Sequence, residues 1–433
     1  KNPQAKEDII SKDRRQPKVT IAAAEMTPAD GRQRERMLRL KLEVAEAPAQ
    51  AEYREGSGAQ DLRLFRNGLL VRTWSGDLLE GGANKTIETS VPIVAGENRF
   101  TAYAFNRDNV KSTDDVLSVS GAESLRRSGT AYLIVAGVGN YANPQYNLNY
   151  SVADATAIGQ QLKQQQELLA RYNPIVVVSL LNEEATRGNI LLALKLLAGE
   201  GGGSLPANAP RDLSKIKPAQ PEDAVIFYFS GHGTAVEDRF YLIPHDLGYM
   251  GPRSRLNREG LEAIISHSIS DLELEAALRP VDVDQLLLVI DACNSGQALN
   301  AEEERRGPMN AKGLAQLAYE KGMYVLTASQ SDEVAFESEG LKHSYLAYAL
   351  VEEGIKSSAA DADRNGQVLL KEWFDYATDR VPQIGKQKVV AGKQLEEVDP
   401  DERRVQRPRV FNMREGGAER FVIAGVARAG LNQ

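Results

Sequence analysis

The sequence predicts a mixed α/β fold, a mostly parallel sheet flanked by helices, preceded by an all-β unit. Three observations lead there. Five apolar runs, 131-AYLIVAGVG, 174-PIVVVSL, 223-DAVIFYFS, 285-QLLLVIDAC and 322-GMYVLTAS, read as buried strands. The stretches between them, 152-VADATAIGQQL, 187-RGNILLALKLL and 312-KGLAQLAYE, carry apolar residues at helical spacing. Such alternation indicates a sheet covered on both faces. Upstream, from Lys18 to about Val119, the texture is instead one of short alternating runs broken by turns.

Taken in order, residues 1–17 (KNPQAKEDIISKDRRQP) are polar and aperiodic and read as a linker. Residues 18–120 hold PKVTIAAA, LRLKLEVAEA, QDLRLFRNGLLVRTW, KTIETSVPIVAG and NRFTAYAFN, separated by signals such as Asn67-Gly68 and Gly81-Gly82. Several short strands in that space predict an immunoglobulin-like β-sandwich without the cysteine pair of antibody domains. The α/β domain is placed at 128–385. Within it, 199-GEGGGSLPANAPRDLSKIKPAQ and 297-QALNAEEERRGPMNAK read as surface loops, and 344-SYLAYALVEEGIK and 371-KEWFDYATDRV as helices. Residues 386–433 form a charged C-terminal extension, patterned only at 409-RVFN and 420-RFVIAGV.

Composition narrows the function. Of 433 residues, 42% are hydrophobic and 26% charged, the balance of an ordinary globular protein. The net charge of -8 argues against a nucleic-acid partner, which calls for a basic face. No apolar run is long enough to span a bilayer, so no membrane partner is expected either. Cys293 is the single cysteine, which removes intrachain disulfides and Cys-rich zinc sites and fits a reducing, cytoplasmic setting. The first residue is Lys1, without an export signal, and the expectation is a piece of a longer or processed chain.

The chemistry concentrates at two apolar runs. His232, in 229-FSGHGT, and Cys293, in 290-IDACNSG, each sit where an apolar run gives way to small residues. In an open parallel sheet both fall at the carboxyl edge, where ligands bind. A thiol there needs a base, because unperturbed cysteine is mostly protonated at neutral pH, and imidazole suits that pH. Together they can serve as nucleophile and general acid/base for acyl transfer. The backbone N–H groups of Gly233 and Cys293 can supply an oxyanion hole. Alone, Cys293 would read as a buried core thiol; its flanking pattern overturns that.

YFSGHGT followed by LLLVIDACNSG resembles the catalytic pair of caspase-like peptidases, specifically the metacaspase and bacterial orthocaspase branch of the caspase-hemoglobinase fold. The segments 131-AYLIVAGVGNY, 148-LNYSVADATAI, 322-GMYVLTASQSDEVAFES and 343-HSYLAYALVEEG extend the resemblance over roughly 128–385. DACNS departs from the animal Q-A-C-[RQG]-G signature, and the histidine lies further upstream than the usual ≈ 50 residues. The resemblance implies a substrate pocket lined by Asp154 and Asp291, with Ser151 and Ser230 at matching positions. Two carboxylates in a concave pocket favour guanidinium or ammonium, hence cleavage after Arg or Lys of a protein or peptide substrate. Asp154 reads equally well as a helix N-terminal acid. The family further implies an upstream sensor domain and a bacterial role in signalling, defence or cell death. The alternative is a caspase-like scaffold or sensor module with little turnover; the presence of both His232 and Cys293 speaks for the peptidase.

No organic cofactor is expected. One ion is: 361-DADRNGQVLLKE-372 fits the twelve-residue calcium loop D-x-[DN]-x-[DN]-G-x5-E, with Asp361, Asp363, Asn365, the Gln367 carbonyl and Glu372 at ligand positions and Gly366 at the turn. An Asx-rich turn without metal remains the other reading. Arg306, beside Arg305 in 302-EEERRGPMN, is a self-cleavage candidate if the pocket takes basic residues, although most such pairs are simply solvated. His245, His267 and His343 lack metal-ligand spacing and read as bystanders.

Overall fold

A computed structural model describes residues 12–25, 30–201, 203–236, 239–294, 318–328, 336–390, 394–397, 406–411 and 421–425, with 293–294, 388–390 and 394–397 described by backbone alone. The chain divides into two compact units, Lys1–Arg127 and Ser128–Gln433.

The first unit holds β1 (Lys18–Ala23), β2 (Arg32–Gln33), β3 (Met37–Ala45), β4 (Gln60–Arg66), β5 (Leu69–Asp77), β6 (Asn84–Pro92), β7 (Gly96–Phe105) and β8 (Asp115–Gly121). They form a three-stranded sheet, β1-β3-β6, and a five-stranded one, β2-β8-β7-β4-β5. The period-two patterning decides which side chains meet: Leu40, Leu42 and Val44 of β3 share one apolar cluster with Leu62 and Leu64 of β4 and Phe100 and Ala102 of β7. Fully burying each such Leu or Phe contributes about 1.5–3 kcal/mol. The alternate residues of β4 and β7 carry an outer ladder in which Phe65 stacks on Tyr103 at 5.4 Å and Arg63 lies over Phe105 at 5.1 Å. The end of the segment read as a linker is tied to this unit, because Asn106 Nδ2 donates to the carbonyls of Asp13 and Arg15 at 2.6 and 2.9 Å.

The second unit opens with β9 (Ala131–Gly137), α1 (Ser151–Leu169), β10 (Ile175–Leu181), α2 (Arg187–Leu197), β11 (Ala224–Val236) and β12 (Arg239–Ile243). It continues through α3 (Arg258–His267), β13 (Ile269–Ser270), α4 (Asp271–Leu278), β14 (Gln285–Asn294) and β15 (Tyr324–Thr327). The main sheet has the order β10-β9-β11-β14-β15, all parallel, and β21 (Arg409–Phe411) closes the β15 edge antiparallel. Both faces are covered. Ala131, Leu133, Ile226 and Tyr228 pack with Ala155, Ile158 and Leu162 of α1, whereas Ile134, Val225 and Phe227 pack with Ile190 and Leu194 of α2, Ile264 of α3 and Leu274 of α4. A one-residue slip in register would exchange these two sets, so the apolar pattern pins it.

After β15 come the hairpin β16 (Glu337–Ser338) and β17 (His343–Ser344), then α5 (Tyr345–Ala347), which runs on over Tyr348–Lys356 with the wider π-type bonding. β18 (Gln367–Leu369) leads into α6 (Leu370–Ile384), whose Trp373, Phe374 and Ala377 join the α1 face of the core. β19 (Gln387–Val390) and β20 (Gln394–Glu397) pair with each other, and β22 (Val422–Gly425) pairs with β18. Of the helix expected at 312–320, the described part, 318–320, is helical.

One expectation is corrected. The strand carrying His232 does not end at Ser-Gly-His-Gly but continues to Val236, although its apolar run stops at Phe229. β12 folds back and pairs antiparallel with it, His232 opposite Ile243 through Val236 opposite Arg239, which occupies backbone groups that would otherwise end the ladder. Small polar side chains there hide the strand from a hydrophobicity reading.

Candidate active site

Parallel pairing of β11 with β14 sets His232 opposite Cys293 and Ser230 opposite Asp291. β9 reaches only Ser230, through Gly137, so His232 lies just past the end of its neighbour, at the carboxyl edge of the sheet. Cys293 is described by this backbone place alone.

His232 is buried, 5% exposed, and gripped from both ends. Its Nε2 lies 2.8 Å from the carbonyl oxygen of Tyr146. A carbonyl only accepts, so Nε2 carries the hydrogen and Nδ1 is the lone-pair nitrogen. The His232 backbone N–H donates to the Tyr141 hydroxyl at 2.7 Å, and that hydroxyl donates to the Ile243 carbonyl at 3.3 Å, bridging β11 and β12 where they part. The Tyr141 ring lies 5.1 Å from the imidazole, and the Tyr146 ring meets it edge-on at 6.2 Å. Gly231 leaves room for this packing: a Cβ there would stand a tight 3.0 Å from both the Phe229 ring and the Tyr141 hydroxyl. Burial pushes the His232 pKa down to about 4, with the Tyr146 carbonyl acting the other way and the Arg253 charge adding to the fall. The ring is therefore neutral across the ordinary pH range, in the form a general base needs. Since the His232 N–H points to the β12 side, strand alternation turns the Gly233 N–H toward β14, the strand of Cys293.

The four residues expected in the substrate pocket are all buried. Asp154 (0% exposed) lies in the first turn of α1, which Ser151 (2%) opens. α1 comes this close to β9 because Gly137 has no side chain: a Cβ there would stand 2.7 Å from the Ser151 carbonyl oxygen. Asp291 (4% exposed) accepts hydrogen bonds at Oδ2 from the Tyr228 hydroxyl at 2.8 Å and the Ser344 hydroxyl at 2.5 Å. Ser230 (2% exposed) lies beside it in register. Burial raises the pKa of both acids. For Asp291 the Asp154 charge adds to burial against the Ser344 and Tyr228 hydrogen bonds, and the result is about 7. For Asp154 burial outweighs the opposing hydrogen bond and charge of His343.

His343 is not the bystander its spacing suggested. Its Nδ1 donates to Asp154 Oδ1 at 2.6 Å, and its Nε2 lies 3.6 Å from Glu352 Oε1. Glu337 is a third acid at this place, whose two oxygens accept the N–H groups of Asn149 and Tyr150 at 3.0 Å each and so cap the entry to α1. Tyr228, Glu337, His343 and Ser344 were missed because nothing in their local spacing relates them to Asp154 or Asp291. The segments YFSGHGT, 322-GMYVLTASQSDEVAFES and 343-HSYLAYALVEEG contain these residues without marking them. His267 does stay local, its Nδ1 contacting the Ala263 carbonyl at 3.0 Å, whereas the His245 Nδ1 reaches the carbonyl of the distant Asn140 at 2.7 Å.

The loop 361–372 stands apart from this site. Asp361, Asp363 and Glu372 can each offer an oxygen within 4.8 Å of the others, and Gly366, at φ +89°, donates its N–H to Asp361 Oδ2 at 3.0 Å. Carboxylate, amide and carbonyl oxygens suit a hard cation such as Ca2+, so the donor set fits. Gln367 begins β18. Arg306, the self-cleavage candidate, lies outside the described residues.

No curated protein matches this chain. Among solved structures, fibronectin(III)-like modules of Clostridium thermocellum CbhA share 14% identity at a TM-score of 0.19, over 27% of this chain and 52% of theirs, so the chain spans about half of that structure. A Bacillus subtilis protein shares 10% at 0.19, over 71% of this chain and 84% of its own. A polysaccharide deacetylase from Bacillus cereus shares 11% at 0.15, over 64% and 80%. Scores this low carry no argument. The family comparison is informative, because residues 207–403 match the model described as the caspase domain, a span that takes in His232 and Cys293. The match to the caspase-domain model over residues 207–403, a region of mixed α/β content, supports a caspase-like cysteine peptidase.

Proposed function

We propose that the chain is a cysteine endopeptidase that cleaves after Arg or Lys through a His232–Cys293 dyad. The observation that carries the reading is the register of β11 on β14, which pairs His232 with Cys293 and, two residues back, Ser230 with Asp291. In the proposed reaction His232 Nδ1 takes the thiol proton as the sulfur attacks the scissile carbonyl. The N–H groups of Gly233 and Cys293 receive the oxyanion. His232 then returns the proton to the leaving amine, and water, deprotonated by the same nitrogen, hydrolyses the thioester. The Tyr146 carbonyl holds the tautomer throughout and favours the imidazolium that forms. Asp154 and Asp291 receive the basic side chain, with Ser151 and Ser230 beside them. Fluorogenic peptides ending in Arg, Lys or Asp, assayed beside Cys293→Ala, test this: cleavage after Arg and Lys is expected, and efficient cleavage after Asp alone overturns the pocket assignment.

The proposal extends to Ca2+ held by Asp361, Asp363, Asn365, the Gln367 carbonyl and Glu372, where it would neutralise the clustered acids and tie the loop to α6. At an ion concentration about a hundredfold above Kd, stabilisation of about 2.7 kcal/mol raises Tm by roughly 5–10 °C. Asp361→Ala should show no such rise; equal shifts in both proteins remove the metal. We further read the strand-rich first unit as immunoglobulin-like and the whole as a regulated bacterial protease with a sensor domain upstream. Self-cleavage after Arg306 belongs to the same reading.

A further inference from the structure

The dipeptide His343–Ser344 is far in sequence from both pocket acids and grips both. His343 Nδ1 donates to Asp154 Oδ1 at 2.6 Å, the Ser344 N–H donates to Asp154 Oδ2 at 3.1 Å, and the Ser344 hydroxyl donates to Asp291 Oδ2 at 2.5 Å. The dipeptide is itself held. In the β16–β17 hairpin His343 pairs with Ser338 and Ser344 with Glu337, whose carboxylate caps the entry to α1. Ser344 Oγ also accepts the Ala347 N–H at 2.9 Å as the N-cap of α5. One short strand therefore links the start of α1, the start of α5 and the end of β14.

Two buried carboxylates side by side repel each other, and each pays to lose water. Left without donors they would turn apart or share a proton. Three donors from one dipeptide oppose that, and they leave a defined opening: both hydrogen bonds that Asp291 accepts among the described residues fall on Oδ2, so Oδ1 is the oxygen left for an incoming donor.

We propose that His343 and Ser344 are positioning residues of the specificity pocket, fixing Asp154 and Asp291 at the spacing that receives one basic side chain. This rests on the Arg/Lys reading. The dipeptide acts on substrate binding, since its side-chain hydrogen bonds to the site go to the two pocket acids.

The test compares wild type with His343→Leu, His343→Asn and Ser344→Ala on Arg-, Lys- and Asp-terminated peptides, alongside the rate of Cys293 alkylation by iodoacetamide. Asn places an N–H donor close to where Nδ1 stands; Leu removes it. His343→Leu should raise KM for Arg and Lys peptides by roughly ten- to a hundredfold, the scale of a lost hydrogen bond to a charged group, while kcat and the alkylation rate stay near wild type. His343→Asn should recover most of the KM. An unchanged KM in His343→Leu, a fall in kcat alone, or equal damage in His343→Asn overturns the proposal. Should His343→Leu fail to fold, Ser344→Ala, which keeps the backbone N–H, is judged by the same KM criterion. A wild type that cleaves no basic peptide defeats the Arg/Lys reading itself, a separate result read before any variant is compared.

Discussion

His232→Ala lowers kcat/KM on an Arg-terminated peptide by about a thousandfold or more, and the loss lies in kcat. Without the imidazole no group remains to take the thiol proton or to protonate the leaving amine, and an ordinary cysteine is only a few per cent thiolate at pH 7. The residual rate of the variant should therefore climb with pH as the thiol ionises. Wild type should behave differently at the acid end. Burial holds the His232 pKa at about 4, so the ring still accepts a proton at pH 5, where an ordinary histidine would be charged. Once the effect of the pocket acids on binding is divided out, kcat/KM should fall only as pH drops through about 4. A variant retaining more than about a tenth of wild-type kcat would remove His232 from the chemistry.

Asp291→Asn should separate two pH effects that oppose each other. The folded pKa of Asp291, about 7, is above its unfolded value of 3.8, raised first by burial and then by the Asp154 charge. The folded state thus binds more protons than the unfolded state between these values. The stability this contributes is complete below about pH 4 and is lost as pH rises through about 7. His232 runs the other way: its folded pKa is depressed, so its contribution is present above 6.5 and lost as pH falls through about 4. Because Asp291→Asn leaves His232 unchanged, the difference in Tm between variant and wild type reports the Asp291 carboxyl together with its coupling to Asp154. It should move in favour of the variant by roughly 7–15 °C from pH 4 to pH 8. Asn can still accept at Oδ1 from Tyr228 and Ser344. Substrate binding should follow the same titration. A guanidinium is charged at every accessible pH and favours the ionised carboxylate, so the wild-type KM for Arg peptides should fall as pH rises to about 7 and then level off. In the Asn variant KM should be higher, and the pH dependence that remains belongs to Asp154. A flat wild-type KM between pH 5 and 8 would show that Asp291 does not meet the basic side chain.

Much of the second unit was legible in the sequence, for identifiable reasons. The runs at 131, 174, 223, 285 and 322 became β9, β10, β11, β14 and β15 because strands buried on both faces must be continuously apolar, a signal carried by neighbours in the chain. The helices at 152 and 187 were equally plain. The far half of β11 was not, since Ser230 to Thr234 have no apolar period and the strand persists because β14 pairs with it as far as Gly233 and β12 from His232 to Val236. His343 was misread for a related reason. Its partner Asp154 stands 189 positions away, and only the hairpin β16–β17 brings the two together.

The sequence by itself therefore determined what is written over a few adjacent residues: the alternation of buried strands and helices, a histidine and a cysteine at the ends of two apolar runs, and a twelve-residue loop with oxygen donors at calcium spacing. Only the tertiary structure decided which groups serve the histidine and the acids. The Tyr146 carbonyl that fixes the tautomer of His232 is a group every residue possesses, and it leaves no mark in the sequence. The Tyr141 hydroxyl under the histidine and the His343–Ser344 grip on Asp154 and Asp291 depend on sheet order and register. Those are set by the packing of both faces of the sheet at once, and no local stretch of chain encodes them.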